Sequence, residues 1–82
     1  MKTFRRPVTM TSQSIKDLTG VDYCNEILLQ TPETNSNKIF FGERSQEFAF
    51  LFAGGASGLS VTSPRNIYIK GTPPDEVIII LL

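Results

Sequence analysis

The sequence predicts an all-β protein, a small antiparallel β-sandwich or jelly-roll-like barrel of about seven short strands. Three observations carry that expectation. Apolar residues recur at period two in short runs, as they do on a strand with alternating faces. These runs are rich in Ile, Val, Phe and Thr, which suit a pleated, half-buried surface. Gly, Pro, Asn and Asp separate them, and no run is long enough for a helix of ordinary length.

The elements follow in order. Residues 1–6 are basic, with Lys2, Arg5 and Arg6, and are expected to be a flexible arm ahead of a single β-sandwich domain at 7–82. Pro7-Val8-Thr9-Met10-Thr11 alternates apolar and hydroxyl residues as a strand would. Residues 14–18 fit a short strand or a single turn, ended by Gly20. Residues 23–30 form a strand offering Cys24, Ile27 and Leu29 to a core. Pro32 and the polar string 33–37 form a loop. Residues 38–41 resume a strand, Gly42 punctuates it, and 43–46 connect it to 47–53. Gly54, Gly55 and Gly58 round a sandwich edge ahead of a strand at 59–62. Residues 66–70 alternate with Ile67 and Ile69 inward, 71–75 turn, and 77–82 close the domain.

Composition removes most chemistry. The 82 residues include no histidine, one cysteine and equal numbers of acidic and basic side chains, eight each. An imidazole base or ligand, an intrachain disulfide and a zinc site of about four N/S ligands are all excluded. Zero net charge argues against nucleic acid, whose phosphates call for a basic excess. No apolar segment follows the basic start, so a secretory signal is not expected. The longest apolar run, 77–82, falls far short of the ~20 residues that span a bilayer. A domain this small lacks internal staples and is expected to recruit partner chains.

Each suggestive segment has a stronger structural reading. The glycine-rich 53–58 segment has no following helix and no nearby lysine to cradle phosphate. Asp75 and Glu76 are adjacent on a strand, so they point to opposite faces and cannot act together on one substrate. Cys24 lies among apolar residues as a buried thiol. No catalytic, cofactor or metal site is expected. Phe48, Phe50 and Phe52 share one strand face. A base-stacking role is disfavoured because Glu43 and Glu47, not lysines, flank them in sequence, which leaves core or interface packing.

The closing strand is apolar on both faces, with Val77, Ile79 and Leu81 alternating with Ile78, Ile80 and Leu82. Either it is central and covered twice, or Ile78, Ile80 and Leu82 meet another chain. The second reading is preferred because a sandwich has only two layers. Arg5, Arg6, Phe48, Phe50, Phe52, Ile78, Ile80 and Leu82 are the interface candidates.

The block order also carries a resemblance. A proline-threonine first strand leads to a Tyr23-Cys24 strand ending Ile27-Leu28-Leu29-Gln30-Thr31-Pro32. A loop with Asn35 and Asn37 then leads to Ile39-Phe40-Phe41-Gly42. Leu59-Ser60-Val61 follows, and Asn66-Ile67-Tyr68-Ile69-Lys70-Gly71-Thr72 closes with Asp75-Glu76-Val77. Over residues 7–82 this resembles the small β-sandwich proteins and modules of tailed-bacteriophage virions. The departure is Pro73-Pro74, where those sequences carry a small residue and glycine; the pair stiffens the turn and argues against a simple hairpin.

The resemblance implies a structural role on the virion after synthesis in the host cytoplasm. Its leading form is a capsid decoration, or cement, protein. That form implies a homo-oligomer, a trimer at local three-fold sites, bound to the major capsid protein or other virion proteins. A head-fibre, neck or tail-fibre adaptor subunit is the structural alternative. A small host-directed binding module is the alternative from another class.

Overall fold

The computed structural model describes residues 1–59 and 63–82, with only the backbone described at Phe48. The strands are β1 (Lys2–Pro7), β2 (Gln13–Ser14), β3 (Ile27–Gln30), β4 (Ile39–Glu43), β5 (Gln46–Leu51), β6 (Ala56–Leu59), β7 (Tyr68–Lys70) and β8 (Glu76–Leu81). Among the described residues they form two four-stranded antiparallel sheets. Sheet one has the order β1-β8-β3-β6 and sheet two the order β2-β7-β4-β5. The predicted all-β sandwich is the observed fold. Only β4 and β5 follow one another within a sheet; each of the other consecutive pairs of strands crosses between the layers.

The layers meet through alternating side chains. Val77, Ile79 and Leu81 of β8 and Ile27 and Leu29 of β3 face Ile39, Phe41, Leu51 and Ile69 of sheet two, all buried. Val8, Ile15, Cys24 and Ile67 close the ends of this core. Burying each such aliphatic side chain contributes roughly 1.5–3 kcal/mol, and these residues supply the main favourable term.

Three local expectations are corrected. Residues 1–6 are not a flexible arm, because β1 runs antiparallel along β8 from Lys2 opposite Leu81 to Pro7 opposite Glu76. Central strand β8 needs a second neighbour for its backbone groups, and β1 supplies it. Residues 7–11 are not the first strand. Pro7 ends β1, and the following residues carry the chain to sheet two, held where Val8 N donates to Asp75 O (3.0 Å) and Gly71 N donates to Thr9 O (2.9 Å). Val8 itself is buried against Gly71, where an added Cβ would come within 2.8 Å of the Val8 side chain.

The strand expected at 23–30 is confined to Ile27–Gln30. Before it, Asn25 N donates to Leu82 O (2.6 Å) and Leu82 N to Glu26 O (3.0 Å), an irregular pairing with the chain end. Cys24, Ile27 and Leu29 are buried as expected.

The ambiguous 14–18 segment is a single helical turn, α1 (Ile15–Thr19), capped by the Ser14 hydroxyl accepting from Asp17 N and stopped by Gly20. Such capping satisfies amides a short helix leaves open. A 3-10 turn at Pro64–Asn66 leads into β7, with Ile67 and Ile69 inward as expected. Residues 60–62 of the strand expected at 59–62 lie outside the described residues, and Leu59 is the last described residue of β6. The Pro73-Pro74 turn joins β7 to β8 across the layers, so no hairpin forms there.

At Asp75 and Glu76 the chain enters its central strand. Asp75 is buried, and its two carboxylate oxygens accept from Ser36 N (2.9 Å) and Asn37 N (2.8 Å). Asn35 completes the clasp from its side chain: Nδ2 donates to Glu76 O (2.8 Å) and Oδ1 accepts from Glu76 N (3.0 Å). One primary amide thus occupies both backbone groups of Glu76 as a neighbouring strand would. Glu76 turns its own carboxylate outward to Arg5 at 2.8 Å, where both side chains are substantially exposed.

Asp75→Ala should therefore lower stability by about 2–4 kcal/mol in urea unfolding, since it strands two part-buried amides. Glu76→Ala should cost no more than about 1 kcal/mol, because only a solvated ion pair is lost.

Candidate interaction surfaces

Sheet one presents an apolar outer face. Along β8, Ile78 and Ile80 alternate outward, half-buried, with Val77, Ile79 and Leu81 inward. Ile80 lies between Thr3 of β1 and Leu28 of β3, and Ile78 between Arg5 and Gln30. Gly58 and Ala56 of β6 extend these rows, so no long side chain shields Leu28 from that side. The two readings of the closing strand are thus each met in part. It is central within its sheet, yet only its inner face is covered by a second layer of described residues. Leu82, beyond the strand, is 42% exposed.

The arginine candidates divide. Arg5 lies on this outer face beside Ile78, held by Glu76. Arg6 points the other way: its Nε donates to Leu18 O (2.9 Å), and its guanidinium lies 5.2 Å from the Phe4 ring centre. Arg6 therefore ties β1 to α1, and adjacent residues on one strand receive separate tasks because successive side chains alternate.

Sheet two carries the second surface, built on aromatic rings. Phe50 and Phe52 are 43% and 62% exposed, so the core alternative for these two is corrected. The inward position on β5 is taken by Leu51, paired with Ile39. The Phe48 side chain lies outside the described residues. Phe40, opposite Phe50, joins the cluster. Phe40 and Phe50 meet edge-on at 6.1 Å, and Phe50 and Phe52 at 5.3 Å, arrangements their ring quadrupoles favour.

Lys38 stands over the rings, Nζ 4.5 Å from the Phe50 centre and 5.3 Å from Phe52, in cation–π range. Lys70 is paired with Phe40 from β7. The expectation that carboxylates rather than lysines border these aromatics is also corrected. Cross-strand pairing and the 35–38 loop bring in lysines that are distant from β5 in sequence, while Glu47 is buried and bonded by the Ser12 hydroxyl at 2.7 Å.

An open groove of about 590 Å³ runs beside Phe40 and Phe52, bounded by Asn37, Lys38 and Thr72. Its wall is set by the clasp that fixes residues 35–37 to Asp75. Its far side is set by Thr31, which holds the glycine-rich crossing from β5 to β6. The Thr31 hydroxyl donates to Phe52 O and accepts from Gly55 N (2.9 Å), and Thr31 N donates to Gly55 O (3.0 Å).

Gly42 shapes the other end of β4, where the register with β5 shifts. Its φ is +152° and an added Cβ would fall 2.5 Å from Gln46 O, so a bulge requires glycine there. Residues 52–55 thus serve as the crossing between sheets, whereas Gly58, expected to round the edge ahead of the next strand, lies inside β6 opposite Leu28.

The sequence reading missed Leu28, Lys38 and Asn35. Leu28 was detectable, since it alternates with Ile27 and Leu29. Lys38 and Asn35 depend on tertiary placement. Among the described residues no group of three or more Cys, Asp and Glu side chains gathers where a metal ion could sit. Burial pushes the Cys24 thiol pKa up, which disfavours the thiolate.

Phe50→Ala should change stability by about 1 kcal/mol, against the 3–5 kcal/mol of a core phenylalanine, while Ile39→Ala should cost about 2–5 kcal/mol; thermal unfolding of the two variants checks the ordering.

The Ser12 hydroxyl holds the Glu47 carboxyl below the usual carboxylate range. That contribution is present above the unfolded-state pKa and lost as pH falls through the lowered folded value. Ser12→Ala should therefore shift acid unfolding, followed by circular dichroism, to higher pH. Comparisons of the chain with protein-family models, with curated proteins and with solved structures found no match.

Proposed function

We propose that this protein is a structural component of a tailed-bacteriophage virion, a capsid decoration protein that self-associates and clamps neighbouring capsomers. The observation that carries the reading is the closing strand: it is apolar on both faces in a domain of two layers, so Ile78 and Ile80 lie on an outer sheet face. The block order of the sequence supports the same reading through its resemblance to virion sandwich modules.

Mechanistically, each copy lays the Leu28, Ile78 and Ile80 face on the capsid, with the Arg5–Glu76 pair at its rim. Apolar burial supplies affinity, and polar rim groups set orientation. Summed over many copies, modest contacts oppose outward pressure from packaged DNA. No bond is made or broken in this role, so it calls for no acid, base or metal.

A second reading, a small host-directed binding module, is favoured by the Phe40/Phe52 groove with Lys38 at its wall. Quantitative mass spectrometry of purified virions separates the possibilities. On the order of hundreds of copies per particle, as icosahedral symmetry implies, fits decoration. A handful would indicate a fibre or adaptor subunit, and presence only in the infected-cell lysate would favour the binding module. Ile78→Thr with Ile80→Thr should reduce occupancy on particles while the domain still folds with an unchanged far-ultraviolet spectrum.

A further inference from the structure

The aromatic face of sheet two leaves more surface open than packing within the domain explains. Phe52 and Met10 are 62% and 76% exposed, and each shares a hollow with Phe40. The two hollows meet at Phe40 and Thr72. One is the groove of about 590 Å³ with Phe52 and Lys38; the other, about 210 Å³, holds Met10 and Lys70. An ammonium group thus borders each, and among the described residues no carboxylate lines either. Lys70 also helps to stabilise the Glu47 carboxylate, so Lys38 is the less committed of the two.

The polar groups of the groove are equally uncommitted. Asn37 gives its backbone N–H to Asp75 and keeps its side-chain amide. Asn37, Lys38 and Thr72 are exposed, and among the described residues no side-chain hydrogen bond or ion pair engages them. An apolar wall with a few polar groups to fix orientation is the make-up of a ligand site.

We propose that this groove binds an acidic glycan, with a sugar ring against Phe40 and Phe52, its hydroxyls on Asn37 and Thr72, and its carboxylate on Lys38. A pyranose presents a C–H face beside a rim of hydroxyls, so it calls for an aromatic wall together with short amide and hydroxyl groups. A carboxylate adds a charge-assisted contact to an ammonium group. Other occupants fit less well. Nucleic acid calls for a basic excess that the chain lacks. Phe50 also stands at 61° to Phe40 and 83° to Phe52, which gives no flat platform for successive bases. A peptide strand needs free backbone groups, whereas β4, which carries Phe40, is paired on both sides by β5 and β7.

The groove and the isoleucine face lie on different sheets, so a copy seated through sheet one presents the groove outward. The inference rests on the binding-module reading of this groove and adds the ligand class; a decoration protein could carry the same site.

Isothermal titration of the purified 82-residue chain with galacturonate, glucuronate and sialate oligosaccharides tests the site. Each is paired with its methyl ester, which keeps the ring and removes the charge. The expected result is saturable binding of at least one acidic oligosaccharide, with its ester roughly tenfold weaker. Phe52→Ala should weaken binding roughly tenfold, and Lys38→Gln should abolish the preference for acid over ester. Both should keep the wild-type far-ultraviolet spectrum. Tyr23→Ala removes an exposed ring from a different hollow and should leave binding unchanged. Binding of no acidic oligosaccharide overturns the inference. So does an ester that binds as well as its acid, or a folded Phe52→Ala that binds as well as the wild type. Tighter binding of an oligothymidylate or of phosphatidylglycerol vesicles also overturns it. If Phe52→Ala then abolished that binding, the groove would still be a binding site, so failure of the glycan and failure of the binding-module reading are distinct results.

Discussion

The clasp between Asp75–Glu76 and the 35–37 loop is the contact on which the rest of the arrangement depends. A buried carboxylate satisfies two loop amides, and the Asn35 amide occupies both backbone groups of the next residue. A buried Asp is tolerated only when hydrogen-bonded in this way. Charge-assisted bonds to backbone N–H groups are among the stronger interactions available to a domain whose single cysteine closes no intrachain disulfide. The clasp joins the β3–β4 connection to the start of β8, so one contact fixes the register of the central strand and the spacing of the two layers. It also sets where the chain enters β4, and thereby places Lys38 over the aromatic rings.

From that anchor the two outer faces acquire different characters. Sheet one is smooth and aliphatic, with its apolar rows bordered by Thr3, Arg5, Gly58 and Ala56. Sheet two is aromatic, with two lysines and a groove beside the rings. Among the described residues no third layer covers either face, so further burial there would come from other molecules. The outermost strands differ as well: β1 carries Lys2, Arg5, Arg6 and Pro7, whereas the charge in β5, Glu47, is buried and bonded by Ser12.

Much of the inner architecture was legible because it depends on local alternation. Ile27, Leu29, Ile67, Ile69, Val77 and Ile79 are buried where period two puts them. Gly20, the 33–37 loop and the 71–75 turn fall where breakers fall. What could not be read is the pairing. Residues 1–6 look like a solvated tail because arginines and lysine dominate them, but β8 needs a partner on that side. The hydroxyl-rich alternation at 7–11 looks like a strand, but β1 ends at Pro7 and the chain then crosses between layers. The surface residues divide in the same way. Ile78 and Ile80 were legible as the outward half of an alternating strand. The neighbourhood of Phe50 was not, because its lysine, Lys38, comes from the loop that leads into β4.

The sequence by itself determined an all-β domain, the residues of its core, the positions of its main turns and the absence of histidine and disulfide chemistry. These follow from residue type and spacing within a few positions. Only the tertiary structure decided which side of each strand faces the opposite sheet, which strands are neighbours and which charged side chains are held inside the fold. Those outcomes depend on contacts between residues far apart in the chain: Arg5 with Glu76, Arg6 with Leu18, and Asn35 with Glu76. A strand's period specifies two faces but does not say which will be buried; the strand across from it decides.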